Sequence, residues 1–373
     1  MRSIQKLLRD RFFDVWQRAL RSSDGKSAVV GSLRHLLSWR PHDFNSDVLA
    51  ESPYCEIGRA STTLPTCERD DIIIVSARFR SGSTLLWNLF RNIPGFVSYY
   101  EPFNERRWFD AAARGEQIDS THRKVADYWA EYDGMDDLAD VFDDSWNDRD
   151  LYMSEDAWNP RMKSYIEQLV ERASGRPVLQ FNRLDFRLPW ARRTFPNAKF
   201  VHLYRHPRDQ WMSNLQSNDR FPADGKMADF AAVDGFYLLW WARDLKHHFP
   251  FLDVQNIEHP YQLHYFLWKL SYVYGRTFSD VSIGFEELTT SPERALFHLF
   301  EVCGIDEFHV EKLLPLIEPP PFGKWKNYAD DAWFKRHEEH CEDVLAGFFD
   351  ARSAKSDLNE VKGRVSSRVS FVR

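Results

Sequence analysis

A loop of glycine and small hydroxyl residues near position 80 has the composition of an anion-binding turn. It follows Ile72–Val75, a β-branched run typical of a buried parallel strand. It precedes Leu85–Phe90, whose leucines and phenylalanine repeat at helical spacing. A strand that turns directly into a helix leaves backbone N–H groups unpaired at one point, and the helix dipole adds positive potential there. The turn therefore predicts a site for phosphate or sulfate. Its residues are Arg80, Ser81, Gly82, Ser83, Thr84 and Leu85.

The nucleotide-binding pattern G-x-x-x-x-G-K-[ST] does not fit this turn. Ala77 stands at its first glycine position and Ser83 at its lysine position, so the usual contact with a γ-phosphate is missing. Arg80 lies just before the turn and offers a planar, charged group that suits phosphate or sulfate oxygens. The alternative is an ordinary strand–turn–helix in which the serine and threonine side chains only cap the helix.

A second stretch, Lys199–Ser213, combines an apolar run with charged residues in the same way. Phe200–Tyr204 predict another buried strand, which Arg205 follows, and Ser213 falls on the helix expected next. In an open parallel sheet, ligands bind beyond the carboxyl ends of the strands. We therefore expect Arg205 and Ser213 to bind a second anionic group. The alternative is a surface ion pair between Arg205 and Asp209.

Together these two stretches resemble the sulfotransferases that use 3′-phosphoadenosine 5′-phosphosulfate (PAPS). Arg80–Thr84 is similar to the loop that binds the 5′-phosphosulfate in that family. Arg205 and Ser213 fall on the arginine and serine of its 3′-phosphate site. The resemblance is strongest to carbohydrate-type enzymes and to bacterial relatives that carry R-S-G-S-T-L-L. In those enzymes the helix after the loop leads to a Glu-Pro dipeptide, and here that dipeptide begins with Glu101.

The resemblance extends over Asp71–Phe349, with weaker stretches inside. Gly284–Leu288 resembles the late strand and helix start of the family. Phe322–Lys326, introduced by a short proline run, resembles the C-terminal loop that closes over the nucleotide. The resemblance thus implies that Trp325 and Lys326 contact the nucleotide.

The resemblance also implies a catalytic base. Sulfuryl transfer to a hydroxyl needs a group that takes the acceptor proton and donors that stabilise the charge on the leaving phosphate. In the resembling enzymes the glutamate that matches Glu101 takes this proton, and Arg80 would stabilise the transferred group. The alternative is that Glu101 is a surface residue at a turn. The rival base is His122, because other branches of the family use a histidine, but Asp119–Lys124 predict a solvated helix start.

Arg183 is a further candidate for substrate contact, together with His122. It follows the apolar strand predicted at Val178–Phe181. Many members of the resembling family carry a lysine or arginine near this place that approaches the transferred sulfate. The alternative is an ion pair between Arg183 and Asp185.

We expect no metal ion and no cofactor beyond PAPS, with PAP as its product. The reaction of the resembling family requires no metal, and the chain contains neither H-E-x-x-H nor paired C-x-x-C. His337–Cys341 is rich in ligand residue types, but its two histidines lie within one helical turn among charged residues, which favours a solvated helix face.

The predicted fold class is α/β, a single P-loop-like domain with a central parallel sheet flanked by helices, plus a helical insertion. Apolar strand signals at 72–75, 178–181, 200–204 and 281–285 are separated by helical stretches, which favours βαβ units. We expect an N-terminal helical extension packed on the core at 1–68, the α/β domain at 69–350 and a tail at 351–373. Within the domain, 105–175 is the expected acceptor-binding insertion, with tryptophans that line a cleft or belong to the core. They are Trp108, Trp129, Trp146 and Trp158, while Trp240 and Trp241 are expected in the core.

Composition excludes a nucleic-acid surface, because the net charge is −7 with both signs interspersed and without a basic stripe. Four scattered cysteines predict a reducing compartment, and we expect a cytoplasmic enzyme. No apolar run is long enough for a transmembrane segment. Residues 1–20 form a basic amphipathic pattern. It fits a helix docked on the domain, and weak peripheral contact with an anionic membrane stays open as the alternative.

The sequence thus predicts a PAPS-dependent sulfotransferase that acts on a hydroxyl of a carbohydrate, glycolipid or other small acceptor. One alternative is a P-loop-type small-molecule kinase, against which the missing loop lysine argues. The other is a non-catalytic nucleotide-binding protein that has kept the fold.

Overall fold

The β-branched run at the start of the described chain forms the central strand of a parallel sheet. The computed structural model describes residues 69–215 and 220–369, with side chains as far as 350. The expectations for residues 1–68, including membrane contact through 1–20, lie outside the described residues. The five strands are β1 Ile73–Ala77, β2 Phe96–Tyr100, β3 Arg176–Phe181, β4 Lys199–Tyr204 and β5 Val281–Gly284.

The strands are ordered β2-β3-β1-β4-β5, and every neighbouring pair is parallel. The strand β1 is central, since Ile73 is paired with Val178 of β3 on one side and with Lys199 of β4 on the other. All five residues of β1 are buried. The predicted central parallel sheet is confirmed. The sequence pattern did not reveal β2, whose half-polar Phe-Val-Ser-Tyr-Tyr lies at the edge of the sheet.

Helices cover both faces of this sheet. Alternate residues of β1 point to opposite faces, so Ile74 packs in one hydrophobic cluster and Ile73 and Val75 in another. The helices are α1 Ser83–Arg91, α2 Pro160–Arg172, α3 Leu188–Thr194, α4 Pro207–Leu215, α5 Met227–Phe230, α6 Leu238–Leu245, α7 Pro260–Phe278, α8 Phe285–Thr290, α9 Pro292–Cys303, α10 Val310–Leu313 and α11 Asp331–Val369.

The insertion at 105–175 is held together mainly by aromatic rings. Its first part contains turns and three short 3₁₀ helices, Ala130–Tyr132, Asp136–Asp140 and Asp144–Asn147, and only its end forms a longer helix, α2. Trp108 and Trp146 are buried in the core, whereas Trp158 is 46% exposed. Because irregular backbone of this kind has no periodic signature, its path could not be predicted from hydrophobic spacing.

Two packing expectations were wrong. Trp241 is buried as expected, but Trp240, its neighbour on α6, is exposed. On α11, His337 and Cys341 are buried and Glu338 forms an ion pair with Arg208, so this helix face packs on the domain rather than facing solvent. The helix α11 continues without a break from the expected domain into the expected tail. No helix within the described ranges combines the length and apolar character needed to cross a membrane.

Candidate functional site

The carboxyl ends of four adjacent strands bring the predicted charged residues together at one edge of the sheet. Each of these strands is followed within three residues by a charged residue. In the order of the strands across the sheet, these residues are Glu101 after β2, Arg183 after β3, Arg80 after β1 and Arg205 after β4. Since parallel strands end at the same edge, residues from four separate stretches of sequence become neighbours. The central position of β1 places Arg80 between the other two arginines.

The loop between β1 and α1 has the geometry of an anion-binding turn. Gly82 has a φ of 95°, and a Cβ atom there would lie 2.2 Å from Cδ2 of Phe285, so only glycine fits. The N–H groups of Leu85 and Leu86 donate to the Gly82 carbonyl at 3.0 and 3.3 Å. The N–H groups that precede Leu85 therefore have no partner within the helix and are available to a ligand.

The loop side chains divide into two groups. The buried Ser81 hydroxyl donates to the Arg78 carbonyl at 2.7 Å and so stabilises the turn. The Thr84 hydroxyl instead contacts the Tyr100 hydroxyl at 2.9 Å and Nε2 of His122 at 3.2 Å. Thr84 is thus linked to the insertion, whereas Ser81 belongs to the scaffold of the loop.

Both predicted anion-binding segments meet at Arg80. Its Nε donates to the Ser213 hydroxyl at 3.0 Å, and a terminal nitrogen of Arg205 donates to the Arg80 carbonyl at 3.2 Å. The alternative of an ion pair between Arg205 and Asp209 is wrong, since Asp209 accepts the backbone N–H of Gly323 at 2.9 Å and no ion pair joins the two described residues. Nε of Arg205 is buried without a hydrogen-bond partner. Burial lowers the pKa of Arg205, the Asp209 and Glu286 carboxylates oppose this effect, and the charge of Arg80 adds to it.

The bond from Gly323 to Asp209 attaches the C-terminal loop to the start of α4. Asp209 lies one helical turn before Ser213, so the loop passes close to the candidate 3′-phosphate site. Trp325 packs on the guanidinium of Arg208 at 4.7 Å and is half-buried, while Lys326 is exposed. The structure thus brings Lys326 to the surface of this loop and places the Trp325 ring against α4.

Glu101 lies in a buried hydrogen-bond network, so its interpretation as a surface residue is wrong. Its side chain is 6% exposed and its φ is 39°, a backbone conformation that is rare outside glycine. It accepts hydrogen bonds from Asn104 at 2.6 Å, from Arg183 at 3.0 Å and from the Asn182 amide. Three donors therefore hold the carboxylate in one orientation at the sheet edge.

Arg183 joins Glu101 to two residues that the sequence analysis missed. Its other terminal nitrogen pairs with Glu105, and the Tyr237 hydroxyl donates to Glu105 at 2.6 Å. Burial alone would lower the pKa of Arg183, but the Glu105 and Glu101 carboxylates outweigh it and raise this pKa. We call Glu101, Arg183, Glu105 and Tyr237 the Arg183 cluster. The proposed ion pair of Arg183 with Asp185 is wrong, because Asp185 pairs with Arg78 at 3.3 Å.

A signal for Glu105 existed in the sequence, since it lies four residues after Glu101 in a segment already identified. Tyr237 had no such signal. It is more than a hundred residues away from Glu105 in sequence and meets it only through the packing of α6 on the domain. Contacts of that range are set by tertiary structure and not by local pattern.

The expectation that His122 lies on a solvated helix start is wrong. This histidine occupies a turn, is partly buried, and contacts Thr84 through Nε2 and the Tyr128 hydroxyl at 2.5 Å through Nδ1. Burial lowers the pKa of His122 to about 4, with the Arg80 charge acting in the same direction and Asp119 opposing it. The imidazole is therefore neutral near pH 7 and both ring nitrogens have partners.

The described residues contain no group of three or more His, Cys, Asp or Glu side chains arranged to bind a metal ion. The charged groups at the sheet edge are instead arginines and carboxylates, among them Asp119, which pairs with Arg80 at 3.3 Å. Arginine side chains and free N–H groups suit an anionic ligand, and the buried glutamate suits proton transfer.

Comparison with known proteins gives a family match. The profile of the "Sulfotransferase family" matches residues 71–309. Solved structures similar to this chain include the sulfotransferase domain of the Synechococcus PCC 7002 olefin synthase, with 16% identity, a TM-score of 0.37, and coverage of 74% of this chain and 94% of that one. The sulfotransferase domain of the curacin biosynthetic pathway has 16% identity, a TM-score of 0.37, and coverage of 74% and 97%. Sulfotransferase STF9 from Mycobacterium avium has 13% identity, a TM-score of 0.41, and coverage of 82% and 80%. A search of curated proteins gives no match.

Proposed function

Since the chain belongs to the sulfotransferase family, we propose that it transfers a sulfuryl group from PAPS to a hydroxyl of a carbohydrate, glycolipid or other small acceptor. The observation that carries this proposal is the meeting of two anion-binding segments at Arg80, beside a buried glutamate. One segment suits a 5′-phosphosulfate and the other a 3′-phosphate.

The loop residues would bind the phosphosulfate of the donor. Their free N–H groups at the start of α1 and the Arg80 guanidinium provide donors for its oxygens. Arg205 and Ser213 would bind the 3′-phosphate, and the Arg205 guanidinium, which within the described residues donates only to the Arg80 carbonyl, supports this role. The residues present therefore fit PAPS. Lys326 and Trp325, on the loop attached to α4, would close over the nucleotide.

Glu101 would act as the general base. It takes the proton of the acceptor hydroxyl while the acceptor oxygen forms a bond to sulfur and the bond from sulfur to the bridging phosphate oxygen breaks. The electrons of that bond remain on the phosphate of the departing PAP. Arg183 and Arg80 follow the next two strands of the sheet after the strand of Glu101 and would stabilise the transferred group.

A carbohydrate or glycolipid acceptor suits the aromatic rings near the base. The half-exposed rings of Phe236 and Tyr237 lie beside Arg80 and Arg183, and sugar faces stack on such rings. His122, which is linked to Thr84, would lie at the rim of the same site.

The test is transfer of ³⁵S from labelled PAPS to a panel of glycans and glycolipids, with wild-type protein beside Glu101→Gln. We expect transfer by the wild type without added metal and a strongly reduced rate for the variant. Binding of PAP without turnover on any acceptor, and without an effect of Glu101→Gln, would support a non-catalytic nucleotide-binding protein. Dependence on ATP and magnesium would support a kinase.

A further inference from the structure

The Arg183 cluster contains two carboxylates and one guanidinium, and so carries one uncompensated negative charge. The side chains of Arg183 and Glu101 are buried, so their charges interact more strongly than in water, whereas the Glu105 side chain is 45% exposed and reaches Arg183 from the solvent side. If Glu101 alone faced Arg183, the guanidinium would neutralise it and make it a poor proton acceptor. Because Glu105 occupies the other terminal nitrogen, Glu101 is only partly compensated.

Tyr237 has a strained backbone where it meets this cluster. Its φ of 62° and ψ of 21° are left-handed, a conformation that large side chains rarely adopt. The Asp234 carboxylate accepts the N–H groups of Leu238 and Leu239 at 3.1 and 2.9 Å and so fixes the start of α6 at this point. Glu101 and Arg80 also have positive φ values. Arg107, Lys124 and Asp150, which lie outside the site, have positive φ values too, so the strain at Tyr237 is a property of this residue and does not mark the site as a whole.

Two aromatic rings pack against the Arg183 guanidinium. Its carbon lies 4.9 Å from the ring centre of Phe79 and 5.7 Å from that of Tyr237. Phe236, the residue before Tyr237, lies 5.7 Å from the guanidinium of Arg80. The ring centres of Phe79 and Tyr237 are only 5.9 Å apart, so both rings lie on the same side of the Arg183 guanidinium. Each of its terminal nitrogens pairs with a different carboxylate, so Arg183 does not give both to Glu101. Glu105 and Tyr237 thus decide how the guanidinium is shared.

We propose that Glu105 and Tyr237 are positioning residues for the base in sulfuryl transfer. Glu105 forms a second ion pair with Arg183, which weakens the attraction of Arg183 for Glu101. The Tyr237 hydroxyl donates a hydrogen bond to Glu105 and holds it in this position. Glu101 then keeps the negative charge with which it takes the acceptor proton. The inference rests on the proposed function, because it assigns Glu101 the role of base.

Other titratable groups also face the cluster. Burial raises the pKa of the Tyr100, Tyr128 and Tyr132 phenols, which stay neutral. Burial and the Glu105 carboxylate likewise raise the pKa of Tyr237. Partial burial would raise the pKa of Glu105, but the Arg183 charge and the Tyr237 hydrogen bond outweigh it and hold this pKa below its usual value. Glu105 therefore stays ionised.

The test compares pH–rate profiles of wild type, Glu105→Gln and Glu105→Asp in ³⁵S transfer from PAPS to the best acceptor of the panel, with water as the acceptor if none is sulfated. Glu105→Gln keeps the shape but removes a negative charge, which stabilises the ionised form of Glu101 and weakens it as a base. We expect kcat to fall about tenfold and the acid limb of the profile to move to lower pH. Glu105→Asp retains the charge and should keep the acid limb near that of the wild type.

Two controls separate positioning from structure. Glu116→Gln removes an exposed carboxylate of the same insertion and should leave the profile unchanged. Tyr237→Phe should slow the wild type two- to threefold but should not slow Glu105→Gln further, because the hydroxyl acts through Glu105. PAP affinity should stay unchanged in all variants.

A wild-type profile for Glu105→Gln, or equal defects in Glu105→Gln and Glu105→Asp, would overturn the inference and leave the proposed function intact. Absence of sulfuryl transfer by the wild type to both the panel and water would refute the proposed function, and the inference with it.

Discussion

Arg205 and Arg183 follow the two strands that flank β1, yet their surroundings differ in charge. Within the described chain, the guanidinium of Arg205 donates one hydrogen bond, to the Arg80 carbonyl, and forms no ion pair, although the nearby Asp209 and Glu286 carboxylates oppose the lowering of its pKa by burial. Nε is buried without a partner in both arginines. Arg183 is bound by two carboxylates. The different counter-charges around the two arginines indicate different roles. We propose that Arg205 is reserved for an anionic ligand, whereas Arg183 organises the base.

The largest expected effect is the loss of stability in Arg183→Ala. Removing the guanidinium leaves Glu101 buried beside Glu105 without the cation that compensates both. Breaking a buried ion pair in this way costs about 3–5 kcal/mol in the free energy of unfolding. Urea denaturation measures this loss, and Arg205→Ala is the matched control with little change in stability. Equal stabilities of the two variants would remove the contrast between the arginines.

The next effect is on catalysis by Glu101. Glu101→Gln keeps the side-chain shape but cannot take a proton, and we expect kcat to fall by about a hundredfold or more, the range for a general base. PAP affinity, measured by calorimetry, should stay within about twofold of the wild type, since the residues proposed to bind PAP follow β1 and β4 and not β2. A rate near that of the wild type would pass the role of base to another group.

Arg205→Ala should weaken the binding of PAP, which Glu101→Gln leaves unchanged. A hydrogen bond to a charged group contributes about 1.5–3 kcal/mol, so the Kd for PAP should rise about 10- to 100-fold. AMP lacks the 3′-phosphate, and its affinity should change little. If PAP and AMP lost affinity equally, Arg205 would not be a 3′-phosphate contact.

The smallest effect is expected for His122→Gln. With its pKa lowered to about 4 by burial, His122 stays neutral from pH 6 to 8, so no transition near pH 6.5 in the rate profile should depend on it. We expect kcat to change by less than about threefold, because both ring nitrogens already contact Thr84 and Tyr128. A loss as large as that of Glu101→Gln would make His122 the base.

The donor side of the site could be predicted because its parts are local. The run Ile72–Val75, the turn at Gly82 and the helix α1 follow one another directly, and each has its own signature in the sequence. The same holds for β4, Arg205 and α4. The parallel sheet then places the two segments side by side.

The base side could be predicted only in part. The motif predicts Glu101 as the base, and this stays a prediction, while the expected partner of Arg183 is wrong and Tyr237 was not predicted. These contacts depend on the aromatic packing of the insertion and of α6, where rings such as Trp108 and Trp146 replace regular elements. Packing of irregular backbone is set by tertiary structure, so neither period nor spacing reveals it.

Calorimetric binding of PAP beside AMP and ATP, with and without magnesium, decides whether this edge of the sheet is a PAPS site. We expect PAP to bind tightly without metal and at least about tenfold more tightly than AMP, because Arg205 and Ser213 are proposed to contact the 3′-phosphate. Equal affinities for PAP and AMP, or binding of ATP that requires magnesium, would contradict a PAPS site at this edge of the sheet.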